Sequence, residues 1–576
     1  MLLLLGRLGA GAWGGIGPLE GALLIAGLAI ALTGVPLLKG GESFAAVAEE
    51  PDYRAPEAAS AAISRGARWV SRALWILCLV VYIGYLGVYV TYAADLFRWP
   101  YDYDQGESFE LYDAVLHSEG KWPYQDSSRF PFYSSNYPPV FHIMNIALFP
   151  LLGKTLLSGR VLSFSITLLT AAMIGLTVHR RTGSLPIAGL AGLAYPASNF
   201  IYHVGPLSRQ HLTMVFLETL AVYFIAGAND RQHGRRNTLI GLACLLLAGF
   251  SKQLAVFTAA AIFIYLFLIS PKRSVALALA FGAVFGAIFL GINLATDGQW
   301  WINTISANVN PFLLPQLIGL VQSWAKIHAV FVLLGLAMVL YEVYAAGISV
   351  YSLWFLMAIG TGIMSGKWGA GEAYWATSVA AAIILAGFAL GRLTQWAAGK
   401  PAGWHTAIRL ALPLLLLAQA TRMIHLPTEG VPWGALARVL GVAGRSSYAD
   451  YPYYDAVGYS QVGHLMLPRD YEGGERIMAH VRATEGLVFS EEAAFTMLAG
   501  KPVVTNPTQL LNLYNAGLLD TSELERMIRE EAFGLVIMRA QFYPPPVLAA
   551  IGEHYGLVEH IPMNGFAYII MKPLEP

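Results

Sequence analysis

Long apolar runs, repeated along most of the chain, constrain its fold more than any other feature. Runs of roughly 18 or more apolar residues, enough to cross about 30 Å of hydrocarbon as a helix, recur from Gly21 to Gln419. We count about twelve of them. With 56% hydrophobic and 12% charged residues over 576 positions, the chain is too apolar for a soluble enzyme of its size. The sequence therefore predicts a mainly α, polytopic membrane helix bundle.

Charge and cysteine content exclude some functions. The formal net charge of +0 argues against nucleic acid as a partner, because phosphate backbones require a basic surface. Both cysteines, Cys78 and Cys244, fall inside apolar runs. Neither a structural disulfide nor a thiolate metal site is therefore expected.

Basic residues are concentrated in alternate short loops, which the positive-inside rule places in the cytoplasm. These loops carry Arg65, Arg68 and Arg72, then Arg180 and Arg181, Arg235 and Arg236, Lys272 and Arg273, and Arg392 with Lys400. The loops between them are then expected on the outer face. This alternation of inner and outer loops requires the apolar run Pro138 to Leu152 to lie along the membrane interface. Leu156 to Val178 then makes the inward crossing.

After the apolar runs, short segments predict a small soluble α/β domain. The predicted strands are Gly486 to Phe489, Pro502 to Thr505, Phe533 to Met538 and Ala567 to Met571; the predicted helices are Glu492 to Leu498 and one that Thr521-Ser522 opens and Glu525 caps. We divide the chain into residues 1–72, with an extra membrane helix (Gly21 to Leu38) and a cytoplasmic linker; the transmembrane catalytic domain 73–421 with outer loop 97–157; a linker 422–469; and an extracytoplasmic α/β domain 470–576.

The outer loop begins with an acidic stretch, Tyr101 to Glu107, just beyond the apolar run Ala73 to Leu96. It contains Asp102, Asp104 and Glu107. Carboxylates are costly to desolvate at a membrane boundary, so such a cluster stays solvated, meets cations or takes part in chemistry. The stretch is either a solvated helix end or a functional site.

Transfer of a sugar from a lipid phosphate to a hydroxyl needs groups of this kind. The acceptor hydroxyl loses a proton as it attacks, which calls for a carboxylate base. The leaving phosphate develops negative charge, which calls for Lys, Arg or a divalent metal. Soluble nucleotide sugars are not available outside the cell. The donor would then be a polyprenyl-linked sugar, whose tail needs an apolar groove between membrane helices.

Four motifs over about sixty residues resemble those of a known superfamily. They are Asp104-Gln105-Gly106, Gly120-Lys121-Trp122-Pro123-Tyr124-Gln125-Asp126, Tyr137-Pro138-Pro139-Val140 and Gly159-Arg160-Val161-Leu162-Ser163. In this order they resemble the GT-C glycosyltransferases, and more narrowly the family 39-like bacterial relatives of protein O-mannosyltransferases and lipid A aminoarabinose transferases. Further similarity lies at 205–209, 251–253, 308–312 and 366–369. The chain departs from the pattern at Ala373, where the subgroup usually has Asn, and at His211, where it usually has a carboxylate.

The resemblance implies an inverting glycosyltransferase, a hexosyl- or pentosyltransferase of the cell envelope, with Asp104 as the catalytic base. Glu107 is a second catalytic candidate. No cofactor is required by the sequence, but Asp104 and Glu107 are the pair that would hold a divalent metal, because hard cations favour carboxylate oxygens. The alternative interpretation of Asp104 is a residue that caps a helix or forms a turn.

Cationic and aromatic residues of the outer loops are candidates for binding the substrate. Arg209, Lys252 and Lys367 are the candidates for the donor phosphate, because a guanidinium fork suits oxyanions and both lysines are predicted near outer helix ends. A lysine there can equally extend to the interface without binding a ligand. The candidates for the rest of the substrate are Asp102, Tyr137, Trp301 and Asn310. Trp301 has an alternative role as an interfacial anchor.

The expected partners are a polyprenyl-phosphate sugar donor, membrane lipid, and a protein, lipid or glycan acceptor. The expected location is the plasma membrane, with several passes and with the site and the C-terminal domain outside the cell. Two other classes remain open. A transporter or flippase of lipid-linked sugars should carry ionisable residues at the membrane midplane. A non-catalytic cell-envelope assembly protein should depend on residues 470 to 576 and tolerate changes in the acidic loop.

Overall fold

The computed structural model describes residues 52–54, 64–423, 433–439 and 464–574. The predicted N-terminal helix Gly21 to Leu38 and most of the predicted linker lie outside these residues. The described chain forms a large helical part, residues 64–439, and a smaller C-terminal part, residues 464–574, which contains the sheet.

The helical part contains eighteen α-helices in chain order. They are α1 (Arg65–Leu96), α2 (Glu107–Ser118), α3 (Val140–Ile146), α4 (Phe149–Leu152), α5 (Leu156–Thr182), α6 (Leu185–Ala197), α7 (Asn199–Tyr202), α8 (His211–Ala226), α9 (Gly234–Gly249), α10 (Val256–Ile269), α11 (Pro271–Ala295), α12 (Gln299–Thr304), α13 (Leu314–Ile327), α14 (Ala329–Tyr341), α15 (Val350–Ile363), α16 (Ala376–Ala398), α17 (Ala402–Ala420) and α18 (Trp433–Val439). Short 3-10 or π turns at Gln253–Ala255, Ser306–Asn308, Glu342–Ala346, Met364–Gly366 and Glu372–Trp375 adjoin them.

Five helical segments of the described chain are long and apolar enough to cross a membrane. They are Arg65–Leu96, Leu156–Thr182, Pro271–Ala295, Ala329–Ala346 and Glu372–Ala398; shorter apolar helices lie at Leu185–Ala197, His211–Ala226, Gln253–Ile269 and Val350–Gly366. The predicted polytopic bundle is confirmed. The run Pro138 to Leu152 forms the two short helices α3 and α4, of 7 and 4 residues, which are too short to cross a bilayer.

Helix α16 is the centre of the bundle, with 94% of its most apolar stretch buried. Small residues allow neighbouring helices to approach it closely. A Cβ atom added at Gly387 would lie 2.7 Å from the Val178 side chain, and one added at Gly391 would lie 2.5 Å from Thr182. In a membrane, where lipid tails are as apolar as side chains, such close packing is a main source of helix association.

The C-terminal part folds around a four-stranded sheet. Its elements are α19 (Pro468–Ala483), β1 (Leu487–Ser490), α20 (Ala493–Leu498), α21 (Pro507–Asn515), α22 (Ser522–Arg529), β2 (Phe533–Met538), α23 (Pro545–His554), β3 (Tyr555–Met563) and β4 (Phe566–Pro573). The strand order is β1-β2-β4-β3; β1 and β2 are parallel, and the other two pairs are antiparallel. The predicted small α/β domain is confirmed as a fold.

One predicted strand of this part is wrong. Residues 501–504 are irregular, and Thr505 forms an isolated parallel bridge with Phe132 of the outer loop. Pro502 has no N–H to donate to a sheet, and the Asn506 side chain accepts a hydrogen bond from Gln509 N to cap α21. The helix predicted to begin at Thr521 is confirmed, but its cap differs, because the Thr521 hydroxyl donates to the Glu525 carboxylate at 2.6 Å.

The C-terminal part packs directly on the acidic loop. The Asn564 amide donates to the carbonyl oxygens of Tyr103, at 2.7 Å, and Asp102, at 3.3 Å. Gly474 of α19 lies so close to the Tyr101 ring that an added Cβ would be 2.0 Å from it. The candidate site at the acidic loop therefore lies between two parts of one chain that are far apart in sequence.

Candidate functional site

The loop that follows α1 is fixed by one arginine of α5. Arg160 is fully buried, and its guanidinium donates to the carbonyl oxygens of Leu96 at 2.7 Å, Trp99 at 2.5 Å and Tyr101 at 2.8 Å. Hydrogen bonds from a planar, charged donor to three carbonyls define the path of the loop. The acidic stretch therefore begins from a rigid support.

Glu107, at the start of α2, forms a saturated ion pair with Arg160. Arg160 Nε and Nη2 donate to its two carboxylate oxygens at 3.0 and 2.8 Å, and the backbone N–H groups of Ser208 and Tyr103 donate at 2.8 and 2.9 Å. Burial alone would raise the pKa of Glu107, but the Arg160 charge and these hydrogen bonds lower it below its usual value. Both oxygens are thus committed to contacts within the protein.

Asp102 is also fully buried, and it accepts a hydrogen bond from the backbone at the start of α2. Its Oδ1 accepts a hydrogen bond from Ser108 N at 2.8 Å, and its Oδ2 has no hydrogen-bond partner in the described chain. Burial, with a smaller contribution from the Glu107 charge, raises the pKa of Asp102 to about 6. Asp102 does not line either of the cavities described below.

Asp104 faces a second arginine, and this pair is less enclosed. Arg209 Nη2 donates to Asp104 Oδ2 at 2.7 Å and also to the carbonyl oxygen of Gln105. Gly106 has φ +99, a backbone conformation that favours glycine, and it packs against the Arg209 guanidinium. Asp104 Oδ1 accepts no hydrogen bond from any described residue, and burial raises the pKa of Asp104 against the opposing charge of Arg209.

Two lysines lie near this pair without a carboxylate of their own. Lys252 is 2% exposed; its ammonium is 4.8 Å from the centre of the Tyr137 ring, 4.7 Å from that of Tyr374, and 2.5 Å from His211 Nε2. Lys367 donates to a backbone carbonyl oxygen, that of Asn308, at 3.0 Å. Within the described residues, no carboxylate oxygen lies within 4 Å of either lysine ammonium.

The charged neighbours of Lys252 are two cations and one carboxylate. Burial lowers the pKa of Lys252 well below its usual range; the charges of Lys367 and Arg209 lower it further, and the Glu110 carboxylate raises it. Burial also lowers the pKa of Lys367 to about 8. Cations that repel one another in a buried place would be stabilised by a bound anion.

A polar cavity of about 100 Å³ opens beside Arg209 and the two residues that follow Asp104, while Asp104 itself is not part of its lining. Its lining residues are Gln105, Gly106, Phe109, Glu110, Asn136, Tyr137, Arg209, Trp368, Gly369, Asn506, Thr508 and Phe542. The aromatic rings of Trp368 and Phe542 meet edge to face, with their centres 5.8 Å apart. The wall of this cavity therefore combines the acidic loop, the loop of Lys367 and the C-terminal part.

An apolar groove of about 290 Å³ lies next to it, among α9, α10 and α11. It is lined by Pro138, Leu245, Gly249, Phe250, Gln253, Ala255, Val256, Ala259, Phe281, Gly282, Phe285, Phe289, Trp300, Thr304 and Ile305. Pro138 directly follows Tyr137, and Gln253 directly follows Lys252. The groove thus reaches the chain positions next to Tyr137 and Lys252.

Of the nine candidates from the sequence, Tyr137 and Arg209 line the polar cavity, and the other seven line neither space. Trp301 is 51% exposed and packs against Phe289, whereas its neighbour Trp300 is buried and lines the groove. The Asn310 amide donates to the carbonyl oxygen of Trp368 at 3.1 Å and so supports the loop of Lys367. Direct contact of Trp301 or Asn310 with a substrate remains a prediction.

Several residues of the cavity were not predicted as substrate contacts. They are Glu110, Trp368, Asn506 and Phe542. Glu110 carried a signal in the sequence, because it lies on α2 one helical turn after Glu107. Asn506 and Phe542 carried none, since only the fold brings the C-terminal part to the acidic loop.

No family model matches the chain, and no curated protein matches it in sequence. The structure is similar to that of ArnT from Cupriavidus metallidurans in the apo state, with a TM-score of 0.53, 13% identity and coverage of 85% of this chain and 98% of that chain. The same protein bound to undecaprenyl phosphate gives a TM-score of 0.50 and 14% identity, with the same coverage. The chain therefore has a GT-C-type fold and is a multi-pass membrane protein.

Proposed function

We propose that the chain is an integral membrane glycosyltransferase that moves a sugar from a polyprenyl-phosphate donor to an acceptor hydroxyl. One observation carries this proposal: buried Lys252 and partly buried Lys367, which have no carboxylate partner within the described residues, lie near Arg209, and an apolar groove reaches Gln253 beside Lys252. A ligand with one anionic group and one long apolar tail fits both features. Binding of undecaprenyl phosphate by ArnT, which shares the fold, supports the same class of donor.

The donor would be held by its two chemically different ends. Its phosphate would contact Lys252, Lys367 and Arg209, which supply point charges and one planar fork. The first units of its tail would lie in the groove between α9 and α11, against Phe250 and Phe285. The sugar would then be directed into the polar cavity, whose aromatic wall suits the apolar face of a sugar ring.

Asp104 would act as the base. Its free oxygen, Oδ1, can accept the proton of the acceptor hydroxyl, while Arg209 holds the other oxygen at 2.7 Å. Because burial raises the pKa of Asp104, its carboxylate is a stronger base than one in water. Direct attack on the anomeric carbon would invert its configuration, and the phosphate would leave with its charge neutralised by the cations. Glu107, held by Arg160, would position the loop.

The distribution of basic residues supports an outer location of the site. Helix α5 begins near Arg160, at the site, and ends at Arg180 and Arg181, about 40 Å away for 27 residues. Arg54 donates to the carbonyl oxygen of Arg180 at 3.3 Å, so further basic charge lies at that end. By the positive-inside rule the Arg181 end would be cytoplasmic, and the cavity and the C-terminal part would then lie outside the cell.

Transfer can be tested with purified protein in lipid vesicles. Radiolabelled polyprenyl-phosphate mannose, arabinose and glucose would be offered with native membrane extract as the source of protein, lipid and glycan acceptors. We expect one donor to be used, and we expect Asp104→Asn to reduce the rate by about 10²- to 10⁴-fold, as for loss of a general base. Equal transfer by the variant would remove Asp104 from the mechanism. Binding of donor without transfer by the wild type would favour a flippase or an assembly protein.

The phosphate contacts can be tested separately by lipid binding. We expect Lys252→Met and Lys367→Met each to weaken the binding of polyprenyl phosphate by about tenfold or more, since each removes a charge-assisted contact. Lys272→Met, which changes an exposed lysine at the start of α11, is the matched control and should bind as the wild type does. Unchanged affinity in both site variants would place the phosphate elsewhere.

A further inference from the structure

A compact group of three potential metal ligands lies behind the cavity wall. Glu110 and Asp113 lie three positions apart on α2, and His142 lies on α3. His142 Nε2 is 2.7 Å from Glu110 Oε2 and 3.7 Å from Asp113 Oδ2. One donor atom from each residue can be chosen so that all three lie within 4.8 Å of one another. All three side chains are buried, with no more than 3% exposure.

The two carboxylates have different surroundings. Glu110 lines the polar cavity, which gives an ion a route to the group. Asp113 is held from behind, because the Tyr133 hydroxyl donates to Oδ1 at 2.7 Å and the Ser135 hydroxyl donates to Oδ2 at 2.5 Å. Hydrogen bonds that orient a ligand in this way are typical of metal sites in proteins.

A fourth side chain, that of Gln210, holds Glu110. Gln210 is fully buried, and its amide nitrogen donates to the two Glu110 oxygens at 2.9 and 3.3 Å. Hydrogen bonds from neighbouring side chains therefore orient both carboxylates of the group.

We propose that Glu110, Asp113 and His142 form a binding site for one divalent transition-metal ion. One imidazole with two carboxylates suits Mn²⁺ or Zn²⁺, whereas Ca²⁺ takes oxygen ligands. This site is distinct from the Asp104 and Glu107 pair expected from the sequence, where Arg160 and two backbone N–H groups already occupy both Glu107 oxygens. The metal would hold α2 to α3 and fix Glu110 in the cavity wall.

The test is a metal titration of the full chain, purified in detergent and treated with chelator. Mn²⁺ binding would be followed by electron paramagnetic resonance without any sugar donor, so its result is independent of transfer. We expect one tightly bound Mn²⁺ per chain, displaced by Zn²⁺, with a ¹⁴N coupling from the imidazole in pulsed spectra. His142→Ala and Glu110→Gln should each weaken binding by about 100-fold or more.

Two variants at carboxylates outside the proposed metal site serve as controls. Glu119→Gln changes an exposed carboxylate at the end of α2, and Asp104→Asn changes the carboxylate expected from the sequence; both should bind Mn²⁺ as the wild type does. The ¹⁴N coupling is read on the wild type, so it does not depend on the folding of any variant. Absence of tight binding, binding without this coupling, or loss of binding in Asp104→Asn alone would overturn the proposal. The three residues would then be only a hydrogen-bonded group.

Discussion

Two carboxylates three positions apart, Asp104 and Glu107, each face an arginine, but the two ion pairs have different surroundings. In the Glu107–Arg160 pair both side chains are 0% exposed, and every carboxylate oxygen accepts hydrogen bonds from the arginine and from backbone N–H groups. In the Asp104–Arg209 pair the arginine side chain is 19% exposed and lines a cavity, and one carboxylate oxygen accepts no hydrogen bond from the described chain.

This difference favours a structural role for the Glu107–Arg160 pair and a chemical role for the Asp104–Arg209 pair. A buried ion pair whose hydrogen-bonding groups are all occupied has none available for a substrate. Removing one partner of such a pair leaves the other as an uncompensated buried charge. A pair at a cavity that retains a free oxygen can exchange a proton or bind a ligand. Sequence position and residue type are nearly the same for the two carboxylates, so only their contacts distinguish the roles that we propose.

The largest effect is expected from breaking the saturated pair. Arg160→Met should lower the free energy of unfolding by about 3–5 kcal/mol, because Glu107 would remain buried without its partner. Arg209→Met should have a smaller effect, since the Arg209 side chain is partly exposed and lines a cavity. Thermal unfolding in detergent, followed by size-exclusion chromatography after heating, would compare the two variants.

A double variant provides the control for this comparison. Glu107→Met with Arg160→Met removes both charges and should recover part of the stability lost in Arg160→Met, because the unpaired carboxylate is gone. Equal losses in Arg160→Met and Arg209→Met would contradict the distinction between the two pairs. No recovery in the double variant would mean that the bonds from Arg160 to backbone carbonyls dominate its effect.

Much of the fold could be predicted from the sequence, because a membrane imposes long apolar helices and buried strands are dense in Val, Ile and Phe. Helices α1 and α5 and strand β2 follow such runs. The strand Tyr555–Met563 was not predicted, because it lies at the sheet edge and its Gly556, Glu559 and Pro562 interrupt any apolar run. Pro502 to Thr505 was wrongly predicted as a strand, because the prediction followed its short apolar pattern and not the proline, which cannot donate a backbone hydrogen bond to a sheet.

The site could be predicted only where motifs marked it. Asp104, Arg209 and Lys252 lie near one another, as expected for residues of one site. The roles of Glu107 and Asp102 could not be separated from that of Asp104, because their hydrogen bonds come from α5 and from the backbone at 103, 108 and 208. Phe542 could not be predicted as a residue of the cavity, because its contact with Trp368 joins positions more than a hundred residues apart in the sequence.

The pH dependence of stability gives a second way to test the acidic loop. The pKa of Asp102 is about 6 in the folded protein and 3.8 ordinarily, so the folded state binds this proton more tightly than the unfolded chain does. Below about pH 4 Asp102 is protonated in both states and does not affect stability. Above pH 6 it is ionised in both states, and its ionisation lowers the free energy of unfolding by up to about 3 kcal/mol. Asp102→Asn keeps an oxygen for Ser108 N and should be more stable than wild type at pH 7.5, with no difference near pH 4.

Glu107 has the opposite expectation, which sharpens the comparison. Its pKa is lowered in the folded state, so its ionised form contributes stability above the ordinary pKa of about 4.3, and that contribution is lost as the pH falls through the folded value. Glu107→Gln should therefore destabilise the protein at pH 7.5, where Asp102→Asn stabilises it. Melting temperatures of the two variants that shift in the same direction at this pH would show that the buried charges do not control stability as described.

The smallest effect is expected from a change that keeps the charge of the open pair. Arg209→Lys preserves a cation beside Asp104, but an ammonium lacks the planar fork that reaches Asp104 Oδ2 and the carbonyl oxygen of Gln105 together. We expect transfer to fall by about tenfold, equivalent to about 1.4 kcal/mol, with the melting temperature unchanged. Initial rates at saturating and limiting donor would locate the loss: a higher KM alone indicates weaker phosphate binding, and a lower kcat indicates poorer alignment of the base. Full activity in Arg209→Lys would mean that charge alone suffices at this position, and the open pair would then need only an electrostatic partner for Asp104.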